Sequence, residues 1–167
     1  SGSMSAASAA RRGFGYRPDP ADARDWSIGR LGLGPAVPAA ASLRGHVDTV
    51  LSNVGVGFFG PFEELDLDKA SRCLEINVIG AAAILQAFVP SMRARGSGKL
   101  IAVSSLVGQI PFPFESIYSA SKFALEGMMR SLRYELEPFG VRVALVQPAL
   151  VATQFAASIH VMPGVGS

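Results

Sequence analysis

The sequence predicts an α/β fold in which parallel strands alternate with helices, as in a doubly wound sheet. Three short, mostly apolar runs rich in β-branched residues, at 47–53, 99–105 and 141–147, are typical of strands inside a parallel sheet. Two long segments between them, 66–94 and 116–137, carry apolar residues at the three- and four-residue spacing of an amphipathic helix. Such connections allow right-handed crossovers, so we expect a truncated sheet with three recognisable strands and two long helices.

The composition is that of a globular protein. Of 167 residues, 49% are hydrophobic and 17% are charged, and the length suits one domain. The net charge of +2 is too small to indicate nucleic-acid binding. The only cysteine, Cys73, has no intrachain disulfide partner and is compatible with a reducing compartment. No apolar run approaches the ~20 residues of a membrane span and no secretory segment is recognised, so we expect a cytoplasmic protein without a membrane span.

The chain divides into three parts. Residues 1–46 are rich in Ala, Gly, Pro and Arg and lack a strand pattern, so we expect an irregular N-terminal segment. Its first three residues, which precede Met4, resemble the remnant of a cleaved tag. Residues 47–155 carry all the strand and helix patterns, and residues 156–167 are expected to form a frayed tail in which His160 is a surface residue.

Local signals place the helix ends and faces. Asp66 can cap the first helix, and Gly140 is a natural stop after the second. Glu126 and Arg130 form a favourable i,i+4 pair, which we place on the outer side of the second helix. The buried stripes are predicted to be Ala70, Leu74, Val78, Ala81, Leu85, Phe88 and Met92 in the first helix, and Ala120, Ala124, Met128, Leu132 and Leu136 in the second.

Asn77 borders the first of these stripes in mid-helix. A buried amide without partners costs about 1–3 kcal/mol, so a buried Asn77 would need specific hydrogen bonds. The alternative is an exposed asparagine on the helix flank.

Ser105, Tyr118 and Lys122 form the most informative constellation. Tyr118 and Lys122 are four residues apart, so they share one face of the second helix. Ser105 follows a predicted parallel strand, where open α/β sheets bind their ligands. A nearby ammonium favours the phenolate, so Lys122 is expected to lower the pKa of Tyr118, while the serine hydroxyl holds a reacting oxygen. The alternative is a chance pairing, because Tyr and Lys at this spacing also occur on surface helices.

These residues resemble the catalytic segment of the short-chain dehydrogenase/reductase family, in particular its hydroxysteroid and retinol dehydrogenase-like members. The run SKFALEG at 121–127 belongs to this resemblance, and Asn77 in EINVIG lies where the family places its catalytic asparagine. Ser52-Asn53-Val54-Gly55 is similar to the family's NNAG motif, and the run Pro148–Thr153 is similar to its PGxVxT motif. The joint resemblance covers roughly residues 46–155.

The resemblance implies a Rossmann-like fold, of which residues 47–155 are the catalytic half, and hydride transfer between NAD or NADP and an alcohol or carbonyl substrate. It implies that Tyr118 is the general acid/base, that Lys122 lowers its pKa and holds the nicotinamide ribose, that Ser105 positions the substrate oxygen, and that Asn77 holds a proton-relay water. The implied cofactor-binding residues are Asn53, Gly55, Tyr118, Lys122, Pro148, Val151 and Thr153. An apolar substrate and no metal are expected.

The family's N-terminal glycine motif is missing or degenerate. The run Gly29-Arg30-Leu31-Gly32-Leu33-Gly34 is one residue short of TGxxxGxG and does not follow an apolar strand. It is either a relic of the nucleotide loop or an irregular surface segment. The choice between NAD and NADP stays open, because the segment that normally determines it has no counterpart.

A three-stranded parallel sheet would leave the strand at 47–53 with an open edge, which natural proteins avoid. Residues 5–46 or a second copy of the chain would cover it, and the resemblance implies a homodimer or higher homo-oligomer through the 66–94 and 116–137 helices. Another explanation for the incomplete sheet is that the sequence is a fragment or an internally deleted isoform. The rival function is a catalytically silent, truncated homologue that acts as a dimerising interaction protein. A hydrolase, suggested by the faintly papain-like opening PDPADARDW, is disfavoured because no Cys/His constellation follows.

Overall fold

The structure, a computed structural model, describes residues 46–149 and 159–161. Its strands in chain order are β1 (Thr49–Ser52), β2 (Gly57–Phe59), β3 (Gly98–Val103), β4 (Val141–Val146) and β5 (Ile159–Val161). The main sheet has the order β1-β3-β4 and both of its pairings are parallel. This confirms the three predicted parallel strands.

A second, smaller sheet was not expected. β2 and β5 pair in parallel, with Phe58 opposite His160 along the backbone. The prediction that residues 156–167 form a frayed tail is therefore wrong at 159–161. A three-residue run gives little periodicity, and its pairing partner lies about a hundred residues earlier in the chain, so no local pattern indicates this sheet.

The helices are α1 (Leu67–Leu74), α2 (Ala81–Arg95) and α3 (Ser116–Leu136). A π-helical segment, Glu75–Gly80, joins α1 to α2 without a break. Asp66 caps α1 as predicted, because its Oδ1 accepts hydrogen bonds from the backbone N–H groups of Asp68 (3.0 Å) and Lys69 (3.2 Å). After α3 and a 3₁₀ turn at Glu137–Phe139, Gly140 adopts a left-handed conformation with φ 70° and ends the helical segment as predicted.

The hydrophobic core lies between one face of the main sheet and the two long helices α2 and α3. Its buried side chains include Val50, Leu100, Ala102 and Val141 from the strands and Leu85, Phe88, Met92, Leu125, Met129 and Leu136 from the helices. The predicted stripe of the first helical segment is buried except at Val78, which is half-buried, and at Leu74, which is exposed while Cys73 beside it is buried. The predicted stripe of α3 is wrong at Ala120 and Ala124, which are exposed.

The other face of the main sheet is open in the part of the chain that the structure describes. Leu51 on β1 is 58% exposed and Val146 on β4 is 46% exposed. β4 alternates between buried and accessible residues, so the prediction of a buried strand at 141–147 is correct for only one of its faces. The cause is that α2 and α3 pack on the same face of the sheet.

One helix of the described residues, Leu67–Arg95, is long and apolar enough to cross a membrane by length and composition. Core helices of water-soluble proteins pass the same test, and Leu85, Phe88 and Met92 of this helix lie in the hydrophobic core. The absence of a membrane span therefore stays a prediction.

Candidate functional site

The candidate site lies at the carboxyl ends of the parallel strands, where α/β sheets bind ligands. Ser105 follows β3 by two residues, and Gly55 follows β1 by three. Tyr118 and Lys122 lie in the first two turns of α3, and both side chains are buried. The fold thus brings these four residues to one end of the sheet from three separate parts of the chain.

Lys122 is 3% exposed, and its ammonium is held by the end of β3. Its Nζ donates a hydrogen bond to the backbone carbonyl of Val103 at 3.1 Å and lies 5.7 Å from the centroid of the Tyr118 ring. Burial lowers the pKa of Lys122 to about 8, because a desolvated ammonium is disfavoured. At neutral pH the site still contains a buried cation for most of the time.

Tyr118 is 9% exposed, and its phenol interacts with Ser105. Burial raises the pKa of Tyr118, the hydrogen bond with the Ser105 hydroxyl opposes this, and the nearby negative charge of Glu115 raises the pKa further. The predicted lowering of this pKa by Lys122 is therefore wrong for the structure. The Lys122 ammonium is directed at the Val103 carbonyl, and desolvation of the phenolate is the dominant effect.

Asn77 is fully buried in the π-helical segment, which excludes the alternative of an exposed flank residue. Its Oδ1 accepts a hydrogen bond from the Val56 N–H at 2.8 Å, and its Nδ2 donates to the Val56 carbonyl at 3.0 Å and to Ser121 Oγ at 2.9 Å. Ser121 Oγ in turn donates to the Tyr118 carbonyl at 2.7 Å. Asn77 thus ties the segment after β1 to α3, and the π-helical segment is a local distortion of the helix at Asn77. The water that we expect it to hold stays a prediction.

Besides Tyr118 and Lys122, five residues are predicted to bind the cofactor, and they differ in where they lie. Gly55 lies against the site, since a Cβ at this position would be 3.3 Å from Lys122 Nζ and 3.4 Å from Asn77 Oδ1. Asn53 is exposed at the end of β1, and the carbonyl of Pro148 accepts a hydrogen bond from the Leu106 N–H at 3.0 Å. Val151 and Thr153 lie outside the described residues, as does the glycine run at 29–34.

A comparison with models of protein families shows to which family this chain belongs. Residues 33–163 match the model of the short chain dehydrogenase family. The chain belongs to this family. It therefore has the Rossmann-type α/β fold of short-chain dehydrogenases, as predicted, and the relatives below support the expected hydroxysteroid and retinol dehydrogenase-like character.

Two of the mammalian proteins that are similar to this chain illustrate the relationship. Human 17-beta-hydroxysteroid dehydrogenase type 1 is 44% identical over 111 residues, which are 66% of this chain and 34% of the relative. Bovine retinol dehydrogenase 8 is 40% identical over 111 residues, which are 66% of this chain and 36% of the relative. The chain thus spans about a third of the length of these curated relatives.

Solved structures give the same result for the fold. A short-chain dehydrogenase from Streptomyces avermitilis has a TM-score of 0.71 and 33% identity, with 78% of this chain and 51% of the other covered. A metagenomic short-chain oxidoreductase solved in complex with NADP has a TM-score of 0.63 and 36% identity, with 68% and 53% covered. An NAD+-bound xylitol dehydrogenase has a TM-score of 0.68 and 27% identity, with 75% and 48% covered.

The described residues of this short-chain dehydrogenase fit the nicotinamide end of a dinucleotide. Because Gly55 has no side chain, its backbone lies close to the Lys122 ammonium, and a ribose bound there would meet a cation and a backbone without a side chain. Tyr118 and Ser105 lie beside this position and can bind a substrate oxygen. The residues expected at the pyrophosphate lie outside the described part of the chain.

Three features near the site were not predicted from the sequence. Phe114, which precedes Glu115 and α3, has a φ of 66°, a strained conformation for a bulky residue. Its carbonyl accepts a hydrogen bond from the Gly60 N–H at 2.8 Å, and its ring lies 5.8 Å from that of Phe59. Burial raises the pKa of Glu115, and Glu126 is buried instead of facing outward. Only tertiary contacts determine these features, so no sequence pattern indicates them.

Proposed function

We propose that this protein is an NAD(P)-dependent oxidoreductase that transfers a hydride between a nicotinamide cofactor and an alcohol or carbonyl substrate. The observation that carries the proposal is the convergence of Tyr118, Ser105 and Lys122 at the carboxyl end of the sheet, with the backbone of Gly55 close to the Lys122 ammonium. The NADP- and NAD-bound structural relatives support a nicotinamide cofactor, and the choice between the two stays open.

In this proposal each residue has one task. Tyr118 is the general acid/base, and Ser105 donates a hydrogen bond to the substrate oxygen and thereby orients it beside the phenol. Lys122 binds the ribose hydroxyls and contributes the positive charge of the site. Bound NAD(P)H supplies the hydride or NAD(P)+ accepts it. Burial raises the pKa of Tyr118, so the phenol keeps a proton that it can donate to a substrate oxygen.

Asn77 acts at a distance from the substrate. Its hydrogen bonds to Val56 and Ser121 keep the segment after β1 in register with the helix that carries Tyr118 and Lys122. We propose in addition that the π-helical distortion at Asn77 provides a site for a water that connects Lys122 to solvent.

We propose an apolar substrate. The loop between Ser105 and α3 exposes four large hydrophobic side chains, Leu106, Ile110, Phe112 and Phe114, which are 37% to 54% accessible. An exposed apolar cluster beside polar catalytic groups suits a hydrophobic alcohol or ketone. The names of the hydroxysteroid and retinol dehydrogenase relatives support the same substrate class.

We further propose a homodimer through the two long helical segments. Leu74 and Ile79 on the first, and Phe123 and Tyr134 on α3, are large side chains that are 37% to 78% exposed. Exposed apolar residues of this size on neighbouring helices are typical of an interface. Sedimentation equilibrium should give a dimer that Phe123→Glu weakens, and a monomer at all concentrations would contradict this part of the proposal.

A nicotinamide absorbance assay tests the proposed function. The purified chain is mixed with NADH or NADPH and a panel of ketones, from small polar ones to steroid- and retinoid-like carbonyls. We expect turnover that increases with the apolar character of the substrate. Absence of turnover with every pair would contradict the oxidoreductase and favour the alternative, a silent homologue that acts by dimerisation.

A further inference from the structure

Glu126 is a buried acid in the catalytic helix, for which the proposed reaction has no use. It lies one turn after Lys122 on the same face of α3 and is 2% exposed. A carboxylate in such a place costs several kcal/mol unless it is hydrogen-bonded and paired. Its contacts should therefore explain its presence.

The carboxylate joins three elements. Its Oε1 accepts hydrogen bonds from Ser104 Oγ at 3.0 Å and from Gln147 Nε2 at 2.6 Å. Its Oε2 accepts one from Arg130 at 2.9 Å on the same helix. Ser104 lies at the end of β3 and Gln147 at the end of β4, so one oxygen atom connects α3 to both strand ends.

Both strand-end contacts are adjacent to predicted site residues. Ser104 directly precedes Ser105, and Gln147 directly precedes Pro148. The two strand-end segments also bond to each other, because the Leu106 N–H donates to the Pro148 carbonyl at 3.0 Å. Movement of either segment relative to α3 would thus displace Ser105 or Pro148.

The turn after Ser105 packs closely onto the same carboxylate. A Cβ at Gly108 would lie 2.8 Å from both Glu126 Oε1 and Ser104 Oγ, and 3.2 Å from the Lys122 carbonyl. No side chain fits at that distance, so the turn at Leu106–Gly108 contacts the hydrogen-bonded group directly. The close packing limits how far Ser105 can move.

We propose that Glu126 is a positioning residue, whose carboxylate holds the strand-end segments Ser104–Ser105 and Gln147–Pro148 against α3 and so keeps the Ser105 hydroxyl beside the Tyr118 phenol. The consequence for catalysis rests on the proposed function, whereas the structural consequence does not. The exposed Arg130 balances the charge of Glu126 but does not contact the strand ends.

Hydrogen exchange of single amides, measured by NMR on the whole chain, tests the structural part. In Glu126→Leu, which keeps the volume but removes both acceptors, the Leu106 amide should exchange at least about tenfold faster, a change of about 1.4 kcal/mol. The amide of Leu100, in the middle of β3, should change much less. In Glu126→Gln the amide oxygen can still accept from Ser104 and Gln147, so exchange at Leu106 should stay close to wild type.

Two further variants complete the test. Glu135→Leu makes the same chemical change at an exposed acid of α3 and should leave Leu106 unaffected. If Glu126→Leu does not fold, Gln147→Leu is the substitute, since it changes an exposed residue and removes one of the hydrogen-bond donors to Glu126. It should accelerate exchange at Leu106 by a smaller factor. An equal acceleration at Leu106 and Leu100 would overturn the proposal, because Glu126 would then contribute only to global stability.

Kinetics separate this proposal from the proposed function. In an active protein, Glu126→Leu should lower kcat by about tenfold or more, and Glu126→Gln should restore most of it. A protein that shows the exchange pattern but no turnover would contradict the oxidoreductase and leave the positioning role intact. Turnover in Glu126→Leu equal to wild type, with unchanged exchange at Leu106, would overturn the positioning role alone.

Discussion

Asn77 and Asn53 belong to motifs of the same family, but they differ in burial and in hydrogen bonding. Asn77 is fully buried and hydrogen-bonds to Val56 and Ser121, whereas Asn53 is exposed at the end of β1. The same contrast holds for the two sides of the candidate site. The predicted catalytic side, which consists of Ser105, Tyr118, Lys122 and Asn77 and is called the catalytic side below, is held by internal hydrogen bonds. The cofactor side, formed by Asn53, Gly55 and Pro148, is bordered by backbone and by an exposed edge.

This difference indicates that the site is preorganised on its catalytic side. Groups that take part in proton transfer must be held within a fraction of an ångström, and the burial of Asn77, Tyr118 and Lys122 together with internal hydrogen bonds provides this on the catalytic side. Groups that only contact a ligand can be ordered when it binds. Substitutions on the catalytic side should therefore have larger effects than those on the cofactor side, and four predictions test this ranking.

The largest effect is expected from Tyr118→Phe. Loss of the general acid should lower turnover by about 10²- to 10⁴-fold, while the melting temperature changes little because only one hydroxyl is removed. Steady-state rates and thermal melts of the purified variant measure both. Tyr134→Phe is the matched control, since that ring is 78% exposed. Retained turnover in Tyr118→Phe would exclude the phenol as proton donor.

Lys122→Met should change the pH dependence of stability. Burial lowers the pKa of Lys122 from 10.5 to about 8, so between these values the unfolded chain binds more protons and stability rises with pH. The shift corresponds to roughly 3 kcal/mol. Denaturant titrations should therefore show the free energy of unfolding of wild type rising relative to Lys122→Met by about 2–3 kcal/mol between pH 8 and 10.5.

Wild type must be compared with Lys122→Met, because other buried groups also make stability depend on pH. Burial raises the pKa of Tyr118 above 10.0 and that of Cys73 above 9.0, so both groups lower stability as the pH rises through those values. Both groups are present in wild type and in Lys122→Met, so the difference reports the lysine together with its electrostatic interaction with Cys73. Parallel stability profiles of the two proteins would show that Lys122 is not a buried ammonium.

Asn77→Ala should lower the free energy of unfolding by about 2–3 kcal/mol. The substitution leaves the Val56 N–H and carbonyl and the Ser121 hydroxyl without their shared partner in a buried place. Urea unfolding measures the loss. Asn53→Ala is the control from the cofactor side and should change stability by less than about 0.5 kcal/mol. Equal losses in the two variants would remove the proposed difference between the sides.

Gly55→Ala should have the smallest effect of the four substitutions, with a loss of stability of less than about 1 kcal/mol. Its Cβ would lie 3.3 Å from Lys122 Nζ, the end of a flexible side chain that can move by a few tenths of an ångström. Cofactor affinity, measured by fluorescence titration, should fall several-fold because the methyl group narrows the approach to Lys122. Gly127→Ala in α3 meets nothing within 4 Å and should stabilise the protein slightly. Unchanged affinity in Gly55→Ala would exclude a close cofactor contact.

Much of the fold could be predicted from sequence, because its signals are local. The three strands of the main sheet follow from apolar β-branched runs, and the bounds of α3 follow from its periodicity. The face of α3 was harder to predict. Ala120 and Ala124 have the same four-residue spacing as Leu125 and Met129, and only packing against the sheet selects the second pair.

The candidate site was predicted as a set of residues but not as an electrostatic environment. Tyr118, Lys122 and Ser105 meet because a helix repeat and a strand end bring them together, which spacing can indicate. The pKa of Tyr118 depends on the balance of burial against nearby charges, and this requires coordinates. The burial of Glu126 likewise depends on Ser104 and Gln147, which are about twenty residues away on either side.

Cofactor titration tests the central claim, a dinucleotide site built around a buried lysine and tyrosine, most directly. NADH and NADPH are added separately to wild type and to Lys122→Met, and binding is followed by nicotinamide fluorescence. We expect saturable binding of at least one cofactor to wild type, and affinity at least about tenfold weaker in Lys122→Met, a loss of about 1.4 kcal/mol. No saturable binding to wild type at millimolar concentrations of either cofactor would contradict the claim.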